Sequence, residues 1–98
     1  MGHPIHRVTG VEVLGGYWLR VAFDDGLQRE IDLEKVLEGE LYGPLRERSL
    51  FEKVAIDPEV QTIVWPNGAD FDPATLHDWP AHEAGMKELA RSWALAPA

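Results

Sequence analysis

Tyr17-Trp18-Leu19-Arg20-Val21-Ala22-Phe23-Asp24-Asp25-Gly26-Leu27-Gln28-Arg29-Glu30-Ile31 is the stretch that decides the fold. Tyr17, Leu19, Val21 and Phe23 alternate with Trp18, Arg20 and Ala22, the period of two that marks a half-buried strand. Asp24-Asp25-Gly26 supplies a tight turn, because glycine takes positive φ at little cost. Leu27 to Ile31 then returns as a second strand, with Leu27, Arg29 and Ile31 on one face and Arg29 near the rim. Two strands joined by so short a turn must run antiparallel.

Upstream of this hairpin, Val8 to Leu14 reads as another strand with Val11 and Val13 on one face, and Gly15-Gly16 as its turn. Downstream, Asp32 is placed to cap a short helix through Glu38, with Gly39 ending it. Gly43-Pro44 breaks the chain, and Leu45 opens a further helical turn. Ser49-Leu50-Phe51-Glu52 fits a capping box, in which Ser49 and Glu52 satisfy each other's backbone donors. Val54 and Ile56 suggest a fourth strand and Val60 to Trp65 a fifth, separated by Asp57-Pro58-Glu59. Pro66 ends that strand, since it has no donor for a ladder. Asp72 and Pro73 form a strong helix start. From Pro80 to Ala94 a longer helix is expected, with Met86, Leu89, Ala90 and Trp93 as its apolar stripe and Glu83–Lys87 as an i,i+4 pair. The expected fold is α+β: a mainly antiparallel sheet of about five strands, short helices and a C-terminal helix. No linker or repeat divides residues 1–98, so one domain is expected.

The 98 residues are 45% hydrophobic, unlike a disordered chain, and suffice for one core. With no cysteine, a disulfide scaffold, a thiolate zinc site and a cysteine nucleophile are excluded. No run nears the roughly 18 apolar residues of a membrane span, and Met1 to Arg7 does not read as a signal peptide. A cytoplasmic location is therefore the expectation. The formal charge of −8 disfavours general binding to phosphate backbones and suits a basic protein partner.

Phe23-Asp24-Asp25-Gly26, Ile31-Asp32-Leu33, Phe51-Glu52-Lys53-Val54 and Ile63-Val64-Trp65-Pro66-Asn67-Gly68-Ala69-Asp70 occur in that order. Together they resemble the bacterial domain of unknown function family numbered 2442, over about residues 8–76. The Trp-Pro-Asn-Gly block with its following aspartate is the most specific part; residues 77–98 then form a helical extension. The resemblance implies a compact α+β fold with an antiparallel sheet and no settled enzymatic activity. It also implies a layout suggestive of toxin–antitoxin pairs, with a partner encoded nearby. Some members of the family carry a helix-turn-helix after the domain, but the single helix after Leu76 is too little for one.

The candidate binding residues are Trp18, Trp65, Asn67, Asp70 and Trp93. Asn67 and Gly68 suit the turn that Pro66 forces, and Asp70 can accept backbone donors there. The functional alternative is a recognition loop in which Trp65 or Asn67 faces a partner. Trp18 points away from Tyr17 and Phe23, so it is either covered by the final helix, through Met86, Leu89 and Trp93, or exposed at an interface. The helix cover is the expected arrangement. If instead the helix stripe is open, it offers a homodimer contact or a groove ligand.

Asp70, Asp72, His77, Asp78 and His82 are rich in oxygen and nitrogen donors, but their spacing matches no metal signature and Asp72 has a capping role. No metal ligands and no cofactor are assigned. Ser49 sits in no Gly-x-Ser-x-Gly elbow, and Gly39 to Gly43 lacks the lysine of a phosphate loop. No catalytic residues are assigned. Three functions remain: a protein-interaction module, antitoxin-like toward a neighbouring gene product; a small-ligand, metal-binding or enzymatic domain around Asp70, Asp72 and His77; and a transcriptional regulator. The last would rely on Arg46, Arg48 and Lys53, which Glu47 and Glu52 dilute.

Overall fold

A computed structural model describes residues 6–95, the side chain of Leu95 excepted. Strands β1 (Val8–Gly15), β2 (Trp18–Phe23) and β3 (Gln28–Asp32) form an antiparallel sheet in the order β1-β2-β3. The pairing sets Leu19 opposite Ile31 and Val13, and Val21 opposite Arg29 and Val11. Leu19, Val21, Phe23 and Ile31 are buried, as their alternation requires. Gly15 and Gly16 both have positive φ, 127° and 54°, and make the expected turn between β1 and β2.

The five strands do not join in one sheet. Strands β4 (Ala55–Ile56) and β5 (Ile63–Val64) form a separate two-stranded ribbon. The long fifth strand is prevented by its own first half. The Asp57 carboxylate accepts from the Glu59 and Val60 amides, and Gln61 at φ 56° donates to the Asp57 carbonyl. The chain is thereby wound into an Asx-type turn that leaves Val60 in solvent, and only Ile63 and Val64 remain to pair. The ribbon meets β1 through the Val8 N–H, which donates to the Gln61 carbonyl.

The middle of the chain is more broken than its caps suggested. Asp32 belongs to β3, and its carboxylate accepts from the Glu34 amide to start a single 3-10 turn, Glu34–Val36. Gly39 opens helix α1 (Gly39–Tyr42) instead of closing the preceding one. Its φ is 82°, and a Cβ there would stand 3.2 Å from Trp93 Cβ, so the position requires glycine on two counts. A 3-10 turn, Gly43–Arg46, leads into α2 (Arg48–Phe51). The capping box is absent: Ser49 lies inside α2, its hydroxyl reaches Glu47, and Glu52 pairs with Arg48 at 3.0 Å.

Helix α3 (Pro73–His77) begins as expected, with Asp72 accepting from the Thr75 amide. The last helix, α4, runs from Trp79 to Leu95. Trp79 and Ala90 are buried, and Met86 and Trp93 pack against the core from the side. Leu89 is 48% exposed. At about 100° per residue, Leu89 lies roughly 70° from the mean direction of Trp79, Met86, Ala90 and Trp93, which faces inward. The Glu83–Lys87 ion pair forms at 3.0 Å.

Candidate functional site

The Trp65 to Asp70 segment is a clasp. Trp65 is 2% exposed, and its Nε1 donates to the Phe51 carbonyl at 2.9 Å. The Gly68 amide donates to the Trp65 carbonyl and the Trp65 amide to the Ala69 carbonyl, closing a turn with Gly68 at φ 90°. Asn67 works in both directions: Oδ1 accepts from the Ala69 amide, and Nδ2 donates to the Leu41 carbonyl in α1. The Asp70 backbone pairs with Val64, and its carbonyl accepts from the Tyr42 hydroxyl at 2.7 Å. Burial, and then the nearby Asp70 carboxylate, push the Tyr42 hydroxyl pKa up. The indole of Trp65 is thus turned inward, away from any partner, while Asn67 stays exposed and ties the loop to α1. The Asp70 residue is exposed beside them.

Trp93 is spent in a similar way. Its ring stacks on Tyr42 (centroids 5.6 Å apart), which stacks on Phe71 (4.9 Å), and this aromatic column fixes α4 to its own domain.

The imidazole and carboxylate cluster exists with different members. Asp72 is the α3 cap and Asp70 stands beside Tyr42, while His77 faces Asp78 and two residues from far along the chain. His77 Nδ1 lies 3.0 Å from Asp78 Oδ1, and Nε2 lies 2.7 Å from Asp25 Oδ2 in the β2–β3 turn. The His6 ring stacks on His77 with centroids 3.7 Å apart, and Phe23 meets it edge-on at 4.9 Å. Arg29 Nε donates to the His77 carbonyl at 2.8 Å, which joins β3 to the end of α3. The hydrogen bond to Asp78, followed by the one to Asp25, raises the His77 pKa against a smaller burial effect. Asp25 is lowered by the Leu27 amide and then by His77, and Asp78 chiefly by His77. His6 and Asp25 escaped the sequence reading. The Asp-Asp-Gly turn accounts for Asp25 locally, and nothing in the spacing links it to His77, 52 residues on.

The remaining candidate, Trp18, departs from the expected helix cover. Helix α4 packs on the Glu34–Val36 turn, α1 and α3, and among the described residues the outer face of the three-stranded sheet is left open. Trp18 is 45% exposed there. Beside it, Arg20 is held between Glu12 and Glu30, each at 3.0 Å, and both carboxylates bonded to it raise its pKa, Glu30 first. Asp32 stands opposite Trp18 on β3, and Leu14, at the irregularity that ends β1, is 38% exposed. The face therefore carries an aromatic ring, three carboxylates and one guanidinium already held by two of them. Elsewhere, the guanidinium of Arg46 bonds the Leu37 and Glu34 carbonyls and Glu38, and Arg48 pairs with Glu52, so these cations are committed within the domain.

A three-stranded sheet closed on one side by short helices and α4, with a clasp at Trp65, defines the class: a small α+β domain. Residues 8–82 match the family described as "Protein of unknown function (DUF2442)", and the chain belongs to that family. Comparison with curated proteins and with solved structures gave no match. Among the described residues, no helix is long and apolar enough to cross a membrane.

Proposed function

We propose that this protein is a non-enzymatic interaction module that docks a basic protein segment on the open face of its sheet, in the manner of an antitoxin-like partner of a neighbouring gene product. The observation that carries this reading is the exposed Trp18 ring set among Glu12, Glu30 and Asp32. An arginine or lysine of the partner gains a cation–π contact over an indole and a carboxylate beside it. The net charge of −8 steers such a segment toward the protein. A homodimer through α4 draws less support, because Met86, Ala90 and Trp93 are used within the chain. The enzymatic reading loses its trio, since Asp70, Asp72 and His77 serve three separate local structures. Transcriptional regulation lacks a free basic face at Arg46 and Arg48.

The test is co-expression with the product of the adjacent open reading frame, followed by co-purification. The complex should survive in the wild type and weaken at least about tenfold in Trp18→Ala, consistent with loss of a buried aromatic anchor. Absence of any complex, or one indifferent to Trp18 and to added salt, would refute the proposal.

A further inference from the structure

We propose that His6, His77 and Asp78 bind one divalent transition-metal ion of the zinc type, with Asp25 as the positioning carboxylate. One donor atom from each of the three residues lies within 4.8 Å of the other two. Neighbouring ligands on a tetrahedral ion with bonds of about 2.0–2.2 Å stand about 3.4 Å apart. Closing the group to that spacing takes a shift of the donors, for which Asp78, with a side chain 53% exposed, has room.

His77 is the fixed member. Its side chain is 15% exposed, its ring sits edge-on to Phe23 and against His6, and its backbone carbonyl is held by Arg29. The two ring nitrogens face different carboxylates. Asp25, 2.7 Å from Nε2, accepts a hydrogen bond from Nε2–H in that tautomer and so leaves the Nδ1 lone pair for the ion, on the side where Asp78 lies at 3.0 Å. A histidine ligand whose other nitrogen donates to a carboxylate is the usual orienting arrangement at protein metal sites. The His6 ring is stacked within 14° of parallel to His77, so it is close by, and it must turn out of the stack for its in-plane lone pair to reach the same ion. Two imidazole nitrogens and one carboxylate oxygen favour a borderline-soft ion over magnesium or calcium, which prefer all-oxygen shells. When the ion binds a protonated His77, the Nδ1–H proton leaves to solvent and a nitrogen–metal bond takes its place; the other hydrogen stays on Nε2, hydrogen-bonded to Asp25.

The experiment is calorimetric titration of the untagged full chain with zinc chloride near neutral pH, with magnesium chloride as comparison. One zinc per chain is expected, with proton release detected as a dependence of the heat on buffer ionisation enthalpy. His77→Asn and His6→Ala should each lower zinc affinity more than about tenfold, and Asp25→Asn by about 10- to 100-fold, in the range for lost orienting partners. Asp70→Asn should leave it unchanged. His6→Ala removes a ligand without touching the core, so the outcome does not depend on His77→Asn folding. Zinc binding that is absent, matched by magnesium, or unchanged in both histidine variants would overturn the proposal.

Discussion

Two tryptophans in adjacent layers of this fold should behave oppositely when altered, and the contrast tests the assignment of the open face. Trp65→Phe removes the Nε1 donor to the Phe51 carbonyl, a buried bond of 2.9 Å. That carbonyl keeps only the longer contact from the Val54 amide at 3.3 Å, so the loss is about 1 kcal/mol, short of the penalty for a fully orphaned acceptor. The smaller ring leaves roughly 40 Å³ empty, worth about 1 kcal/mol as cavity, and forfeits about 1 kcal/mol of apolar transfer. The sum is about 3 kcal/mol, a large part of the 5–15 kcal/mol typical of a domain. Trp18→Ala removes a ring 45% exposed, so only cross-strand contacts on the outer face are lost, at most about 1 kcal/mol. Urea unfolding followed by far-ultraviolet circular dichroism measures both, without relying on the indoles being changed. The slope should stay constant while the midpoint falls sharply for Trp65→Phe and barely for Trp18→Ala. A Trp65→Phe cost below about 1 kcal/mol, or a Trp18→Ala cost above that of Trp65→Phe, would refute the layer assignment.

Gly39→Ala forces a side chain into φ 82° and toward Trp93 Cβ at 3.2 Å; a loss of about 1–2 kcal/mol is expected, with faster amide exchange in α4 as the local readout. Asp72→Ala removes the acceptor for the Thr75 amide and should cost about 1 kcal/mol, measured by thermal unfolding, whereas Asp72→Asn should cost much less. In chelator-containing buffer, the His77 clamp contributes full stability below its ordinary pKa of 6.5 and loses it as pH rises through the raised folded value. The lowered pKa values of Asp25 and Asp78 act in the opposite sense, with stability present above their ordinary 3.8 and lost as pH falls through the folded values. Asp25→Asn should therefore flatten the decline of the melting temperature as pH rises above the ordinary 6.5 of His77. Parallel wild-type and variant curves would contradict the clamp.

The sheet was legible because two independent signals coincide in Tyr17 to Ile31. Alternation assigns the faces, and Asp24-Asp25-Gly26 fixes where the chain reverses. The fifth strand misled because Val60 to Trp65 has the right residue types, while the Asp57 carboxylate captures the next amides and turns the chain away. Trp79 lay one residue before the expected helix start, so its place on the buried side of α4, edge-on to Phe71, was not part of the expected stripe. The His6–Asp25–His77 grouping depends on where the β2–β3 turn lands against α3, a tertiary outcome no local spacing encodes. Asn67 and Gly68 were read correctly as turn formers, but the Asn67 bond to the Leu41 carbonyl appears only when α1 is in place.

What separates Trp18 from the other aromatic side chains follows from how few elements the chain has to cover its sheet. It has one long helix, α4, and the described helices it contacts lie on the same side of the domain as the buried face of β2. The opposite face must then remain compatible with water, and most of it does: Glu12, Arg20 and Glu30 form a charged ladder across the three strands. A ladder of this kind satisfies the solvent-side positions by itself, so solubility alone does not call for an indole at position 18. Cross-strand packing accounts for a β-former there, but threonine or valine meets that need with less exposed apolar area. The Trp65 to Asp70 block, though the most specific part of the sequence, is explained throughout by bonds inside the domain. The residue least explained by folding is Trp18, and that asymmetry is the reason the proposed docking is placed on the open face.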